Sequence, residues 1–381
     1  MESKHTQWLE INAKALEHNI RQFQSLLGEE RRLLAMVKAN AYGHGMREVS
    51  QIALKSGVDW LGVNSIDEAL ILRNQGIQCP ILCVGYIPLH RLKDAVQNKI
   101  RMTVYNEDSI KELAQICRSQ NIKAHLHIKV ETGTYRQGIH EQEVIPFINH
   151  IRKHKGLVIE GVSSHFANIE DTTDHSYAEN QLNRFQNFIR IIEKQGVQVP
   201  FKHMACSAAV ILFPQTYFNM ARIGIGMYGL WPSNEVYVSS LLRESPQFVL
   251  KPVLSWKTRV AQVKRVPKHE FIGYGCTYKT TRDTCLAVIP VGYYDGYSRG
   301  LSNASYVLIK GKRAPVRGRV AMNFIMADIT DIPSVQVEDP VTLIGKEKGD
   351  SFTVDQMASL IGTINYEVTA RIRPGISRIV V

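Results

Sequence analysis

The feature that most constrains this chain is a repeated alternation of short apolar runs with longer segments of helical period. The runs fall at 33–38, 60–63, 81–84, 102–105, 125–130, 158–163, 201–205 and 220–223. A short apolar run bounded by turn residues reads as a buried strand, whereas 13–27, 65–75, 107–119, 141–154 and 178–195 carry the spacing of helices between them. Strands that alternate with helices pair in parallel through right-handed crossovers, and eight such alternations predict a (β/α)8 barrel over 1–235. The pattern then changes. From residue 248 onward, segments such as 253–260 and 306–309 are separated by Gly and Pro, which predicts a mainly antiparallel β domain over 236–381 with one short helix at 354–361. The fold class expected is therefore α/β, with a barrel followed by a β-rich domain. The pattern does not assign the strand-like segment 8–11 to either part.

Composition sets the outer limits. With 381 residues, 44% hydrophobic and 21% charged, the chain is large enough for two cored domains and is not a disordered polyelectrolyte. Residues 1–8 are polar and lack the apolar core of a signal peptide, and no run approaches the ~18 apolar residues of a membrane span, so a cytoplasmic protein with no membrane partner is expected. Cys79, Cys83, Cys117, Cys206, Cys276 and Cys285 have neither zinc-site spacing nor the density of a disulfide scaffold. His125 and His127 alternate along one strand and face one side, but no third ligand stands nearby in sequence, so no metal is expected. The net charge of +11 suits an anionic cofactor, an anionic substrate or nucleic acid. The basic stretches at 152–155 and 257–268 lack the interleaved aromatics that stack bases, which favours a solvated surface over a nucleic-acid partner.

Lys38 ends the first apolar run and opens onto Ala39-Asn40-Ala41-Tyr42-Gly43-His44-Gly45. An amine where a strand leaves the core is desolvated, its pKa falls, and the neutral form attacks carbonyls to give a Schiff base. By itself a lysine at a strand end is more often simply solvated. Gly224-Ile225-Gly226-Met227-Tyr228-Gly229 matches G-x-G-x-x-G without the opening βαβ unit of a dinucleotide fold. After the last strand of a barrel it reads instead as a phosphate cup. Arg222 lies two residues before it, and Tyr274 sits between Gly273 and Gly275. Local sequence alone equally allows a strand-end ion pair and a structural tyrosine.

Taken together, the motif from Lys38 to Gly45, Arg136, His165, Ser207, Arg222, Tyr274, the Gly292-Tyr293-Tyr294-Asp295-Gly296 turn, Met322 and Tyr366 closely resemble the bacterial alanine racemases over nearly the whole chain. The resemblance implies a pyridoxal 5'-phosphate enzyme that interconverts L-alanine and D-alanine by two-base proton transfer on a Schiff base and supplies D-alanine for peptidoglycan. It implies a homodimer with shared active sites. Lys38 and Tyr274 would be the catalytic bases, with Tyr274 supplied by the partner subunit. Tyr42, Ser207, the backbone of Gly224 and Ile225, and Tyr366 would hold the phosphate. Arg222, oriented by His165, would face the pyridine nitrogen, and a guanidinium that keeps its proton leaves that ring a weak electron sink. Arg136 would hold the substrate carboxylate, joined from the same partner subunit as Tyr274 by Tyr293 at the substrate entry and the Met322 backbone at the carboxylate. Lys129 matches a position carbamylated in some members. Glu131, Thr134, Cys206 and Asn323 depart from the commoner residues of the family.

Rival expectations remain at this point. A broad-specificity or serine racemase of the same fold differs little in sequence. A same-fold decarboxylase would carry a triple-glycine phosphate loop that is absent here. A non-catalytic pyridoxal-phosphate barrel would match the first domain alone.

Overall fold

The computed structural model describes residues 4–242 and 248–381. It divides into two compact units, one of Lys14–Ala39 and Val49–Lys251 and the other of Met1–Ala13, Asn40–Glu48 and Pro252–Val381. The first strand, β1 (Gln7–Ile11), belongs to the second unit.

In the first unit β2 (Arg32–Met36), β3 (Trp60–Val63), β4 (Ile81–Cys83), β5 (Ile100–Val104), β6 (Ala124–Lys129), β7 (Leu157–Ser163), β8 (Phe201–His203) and β9 (Met220–Ile223) form one parallel sheet. The order is β8-β7-β6-β5-β4-β3-β2-β9. The N–H of Arg222 donates to the carbonyl of Ala205 at 3.0 Å, so the two ends of this order meet and the expected barrel is nearly closed. Leu34, Ala35, Leu61, Leu82, Leu126 and Ile128 have no exposed surface, which explains why these strands read as continuous apolar runs rather than alternating ones. Around them, helix Ala13–Leu27 buries Leu16, Ile20, Phe23 and Leu27, one face at helical spacing. Ser65 and Asn106 cap the helices Ile66–Asn74 and Glu107–Gln120, accepting from Glu68 and Ser109 N–H. The helix expected over 141–154 is in two parts, a 3-10 turn Glu141–Glu143 leading into Val144–Arg152.

The second unit is built on β1, β10 (Leu254–Arg259), β11 (Gln262–Val266), β12 (Thr284–Ile289), β13 (Tyr306–Ile309), β14 (Lys312–Arg317), β15 (Ile325–Asp328), β16 (Pro340–Glu347), β17 (Asp350–Phe352) and β18 (Ser377–Val380). Their order is β11-β12-β15-β14-β13-β16-β10-β1-β18, with β17 paired to β16. All pairs are antiparallel except β1 with β18. This settles the strand that sequence left unassigned: Leu9 and Ile11 are fully buried between β10 and β18. Two helices, Val354–Leu360 and Asn365–Ala370, replace the single one expected, and the second carries Tyr366. Its six residues are too short to show a helical period. Residues 40–48 join this unit because Arg378 Nη2 donates to the Gly43 carbonyl at 2.8 Å. Gly43 also sits against Thr369, where a Cβ would stand 1.9 Å from the carbonyl oxygen. Among the described residues no helix is long and apolar enough to cross a membrane.

Candidate active site

The barrel residues expected to act gather at the carboxyl ends of the strands, where that architecture places its functional loops. Lys38 follows β2, Lys129 ends β6, Arg136 lies in the loop after β6, and His165 follows β7. Arg222 lies on β9, and Gly224 and Ile225 follow it. Burial lowers the Lys38 pKa, Arg136 and Arg222 lower it further, and Glu68 opposes them. Lys129 is pushed well below the ordinary lysine range, first by burial and then by Arg222 and Arg136, with Glu131 opposing. These cations therefore share one electrostatic neighbourhood.

After Lys38 the sequence suggested a glycine-bearing loop. The structure instead has a left-handed turn, with φ of 51°, 53°, 54° and 53° at Ala39, Asn40, Ala41 and Tyr42. Left-handed backbone costs L residues roughly 1–2 kcal/mol each, so the turn must be held from outside. In the barrel unit Glu68 accepts from Ala39 N–H at 2.6 Å and from Asn64 N–H at 2.8 Å. In the β unit the Asn40 side chain accepts from Met46 N–H at 2.9 Å.

Arg222 is 8% exposed. Its Nη1 donates to the His203 carbonyl at 2.9 Å and its Nη2 to the Ser164 carbonyl at 2.7 Å. The same Nη2 lies 3.1 Å from His165 Nδ1. Burial, then Arg222, Lys129, Arg136 and Lys38, hold His165 well below its usual pKa, so it is a neutral acceptor here. The expected pairing of Arg222 with His165 is thus present. Ser207 Oγ accepts from Gly224 N–H at 3.1 Å and Gly226 N–H at 3.3 Å, gathering the glycine segment into a 3-10 turn, Ile225–Tyr228. Gly226 permits this approach, since a Cβ there would stand 2.5 Å from the Phe23 ring.

The departures from the family pattern have local accounts. Glu131 Oε1 accepts from Gly133 and Thr134 N–H at 2.5 and 2.7 Å, and Thr134 Oγ1 donates to the His165 carbonyl at 2.8 Å, so both close the Arg136 loop. Burial and Glu170 push the Cys206 thiol up to about 12, which makes it an inert donor to Glu170. Nothing in the structure explains Asn323.

The remaining expected residues lie in the β unit. The Tyr42 and Tyr366 rings are 6.1 Å apart. Tyr293 and Tyr294 N–H donate to the Ala321 and Met322 carbonyls at 3.1 Å each, which brings the Tyr293 turn onto Met322. Tyr274 occupies a turn between Gly273 and Gly275, with φ of 72° and 73° at the two glycines, and its side chain is 73% exposed.

Sequence reading missed Glu68, His203 and Glu160. The last two are polar residues inside otherwise apolar strand runs, which was the available signal. His125 and His127 do share a face, and a carboxylate distant in sequence stands beside them, Glu160 on β7. Among the described residues no group of three or more His, Cys, Asp or Glu is placed to hold a metal.

Residues 11–232 match the family model for the alanine racemase N-terminal domain, and residues 253–380 match that for the C-terminal domain. The alanine racemase of Leptospira interrogans is 38% identical, with 100% of this chain and 97% of that protein aligned. The solved alanine racemase of Bacillus anthracis with bound L-Ala-P superposes with a TM-score of 0.92 at 34% identity, covering 100% of this chain and 96% of that one. A histidine racemase from Leuconostoc mesenteroides shares the fold at 27% identity and a TM-score of 0.90, covering 100% and 99%. With its half-buried strand-end lysine, its two-unit fold and these matches along its length, the chain belongs to the alanine racemase family.

Proposed function

We propose that this protein interconverts L-alanine and D-alanine with pyridoxal 5'-phosphate, as a cytoplasmic homodimer that supplies D-alanine for peptidoglycan. The observation that carries the reading is the Lys38 amine, depressed by burial and two arginines at a barrel strand end. The barrel site suits such a cofactor. Arg136 and Arg222, which both depress Lys38 and Lys129, keep permanent positive charge in this neighbourhood, which favours an anionic phosphate and an anionic carboxylate.

Pyridoxal phosphate, when bound, supplies an aldehyde for Schiff-base attachment and a conjugated ring that takes up negative charge from the α-carbon. Lys38 Nζ would attach the cofactor through its aldehyde and move a proton on one face of the substrate. The Tyr274 hydroxyl moves a proton on the other face, as inversion requires two opposed bases. Arg222, which cannot readily give up a proton, would face the ring nitrogen without protonating it. Ser207, the N–H groups of Gly224 and Ile225, Tyr42 and Tyr366 bind phosphate. Arg136 and the Met322 backbone bind the substrate carboxylate, and Tyr293 limits access. A neutral Lys129 amine is the form that takes up carbon dioxide, and its carbamate would give Arg136 an anionic partner.

Exposed apolar side chains of the β unit support the homodimer reading. Phe271, Tyr274, Tyr293, Tyr294, Met322 and Phe324 are between 41% and 73% exposed, large apolar side chains of the kind a partner surface covers. A second reading, a racemase of broader specificity, is favoured by the fold shared with a histidine racemase. Racemisation assays across a panel of L-amino acids separate the two. Alanine should be fastest with modest serine turnover, because one small group is worth only ~1–3 kcal/mol of discrimination. Lysine, arginine or histidine turning over faster than alanine would overturn the substrate assignment.

A further inference from the structure

A chain of buried polar groups runs through the barrel from Arg222, and the proposed reaction does not use it. His203 lies on β8, Glu160 on β7 and His127 on β6. Arg222 Nη1 is 2.6 Å from His203 Nδ1, His203 Nε2 is 2.8 Å from His127 Nδ1, and His127 Nε2 is 3.3 Å from Glu160 Oε2. A guanidinium carries only donors, so His203 Nδ1 accepts. A neutral imidazole that accepts at one nitrogen bears its proton on the other, so His203 Nε2–H donates to His127 Nδ1. By the same step His127 Nε2–H donates to Glu160, whose carboxylate only accepts. Every donor points from the cation to the anion.

The surroundings hold this direction. His127 has no exposed surface, its ring lies parallel to Phe201 within 7°, and the Trp60 ring stands edge-on at 5.7 Å. Gly161 makes the space, since a Cβ there would stand 2.3 Å from His127 Nδ1. At the far end Arg101 Nε lies 3.3 Å from Glu160 Oε2, and His125 Nδ1 lies 3.2 Å from Oε1. Burial opposes ionisation of Glu160, but His125, His127 and Arg101 together hold its carboxyl well below the usual range. Burial keeps His127 and His203 neutral, helped at His203 by Arg222.

We propose that Glu160 is a positioning residue for Arg222: acting through His127 and His203, it locks both imidazoles as Nε2–H tautomers and fixes the guanidinium that they face. The consequence for turnover rests on the racemase reading, whereas the tautomers are a property of the chain itself. Long-range proton–nitrogen NMR of the intact enzyme, labelled in its histidine rings, reads the tautomers with and without pyridoxal phosphate. Resonances are assigned from single histidine substitutions, and a neutron structure reads the same protons where such a variant fails to fold. Wild type should show both rings protonated on Nε2 alone. Glu160→Gln, which keeps shape and removes charge, should mix the tautomers and lower kcat for alanine about tenfold while KM stays within about twofold. Either wild-type ring protonated on Nδ1 would overturn the proposal. So would a Glu160→Gln enzyme whose tautomers and kcat do not change together. Correct tautomers in a protein that does not racemise alanine would uphold the lock and refute the racemase reading.

Discussion

Arg222 in the barrel unit and Tyr274 in the β unit are proposed to serve one reaction, yet their surroundings differ in almost every respect. Arg222 is 8% exposed, and its donors meet the carbonyls of His203 and Ser164 and the ring of His165, all supplied by the same unit. Tyr274 is 73% exposed in a turn between two glycines. The barrel thus completes the environment of Arg222 within one chain, whereas the β unit leaves its proposed base uncovered. A finished half and an unfinished half are what a site shared between two copies would leave on each.

The largest expected effect tests the finished half. Lys38→Ala should lower racemisation by at least about 1000-fold, the combined scale of losing a covalent anchor and a general base. Borohydride reduction and peptide mapping of wild type should place the cofactor adduct on Lys38, and an adduct on another lysine would remove Lys38 from its role. A smaller effect tests backbone fit in the β unit. Gly43→Ala should cost about 3 kcal/mol in urea unfolding, because its Cβ would collide with the Thr369 carbonyl at a φ of 86°. A loss under about 0.5 kcal/mol would show that this approach is not tight.

Acid titration probes the same segment at a comparable scale. Burial holds the His44 pKa at about 4 against 6.5 in the unfolded chain, so the unfolded state binds more protons between these values. The contribution is full above 6.5, falls as pH drops toward 4, and amounts to about 3 kcal/mol. His44→Asn should flatten that part of the stability curve, and an unchanged slope would mean that His44 titrates normally. The smallest change in rate is the most informative. Lys38→Ala and Tyr274→Phe dimers should each be nearly inactive, but mixed dimers carry one intact site and should recover up to about half of wild-type activity. If tagged mixed dimers form and recover nothing, both bases come from one chain and the contrast between the two units loses its meaning.

Much of this was legible in the sequence. The eight barrel runs were visible because parallel strands covered on both faces are apolar throughout, and Lys38 was visible as the charge that ends the first. The turn after it was not, because Ala39-Asn40-Ala41-Tyr42 carries no glycine, and the carboxylate that holds it, Glu68, lies on another helix. The strand at 7–11 could be seen as a strand but not placed, since its partners, Leu254–Arg259 and Ser377–Val380, are more than 240 residues away in sequence. Ser207 was tied to the glycine segment only through the resemblance. Its bond to Gly224 joins residues 17 apart that no local period relates.

The division of the chain has a consequence for anyone who would cut or splice it. The units exchange chain at 13/14, 39/40, 48/49 and 251/252. A fragment ending at residue 235 would therefore carry β1 and residues 40–48 without the sheet and the Arg378 contact that receive them. Leu9 and Ile11 would then lie on an unpaired strand, an invitation to aggregate. Two contiguous family domains are thus not two transplantable modules: exchanging either between relatives means recutting the chain at four places, and inheritance of the whole is the simpler course.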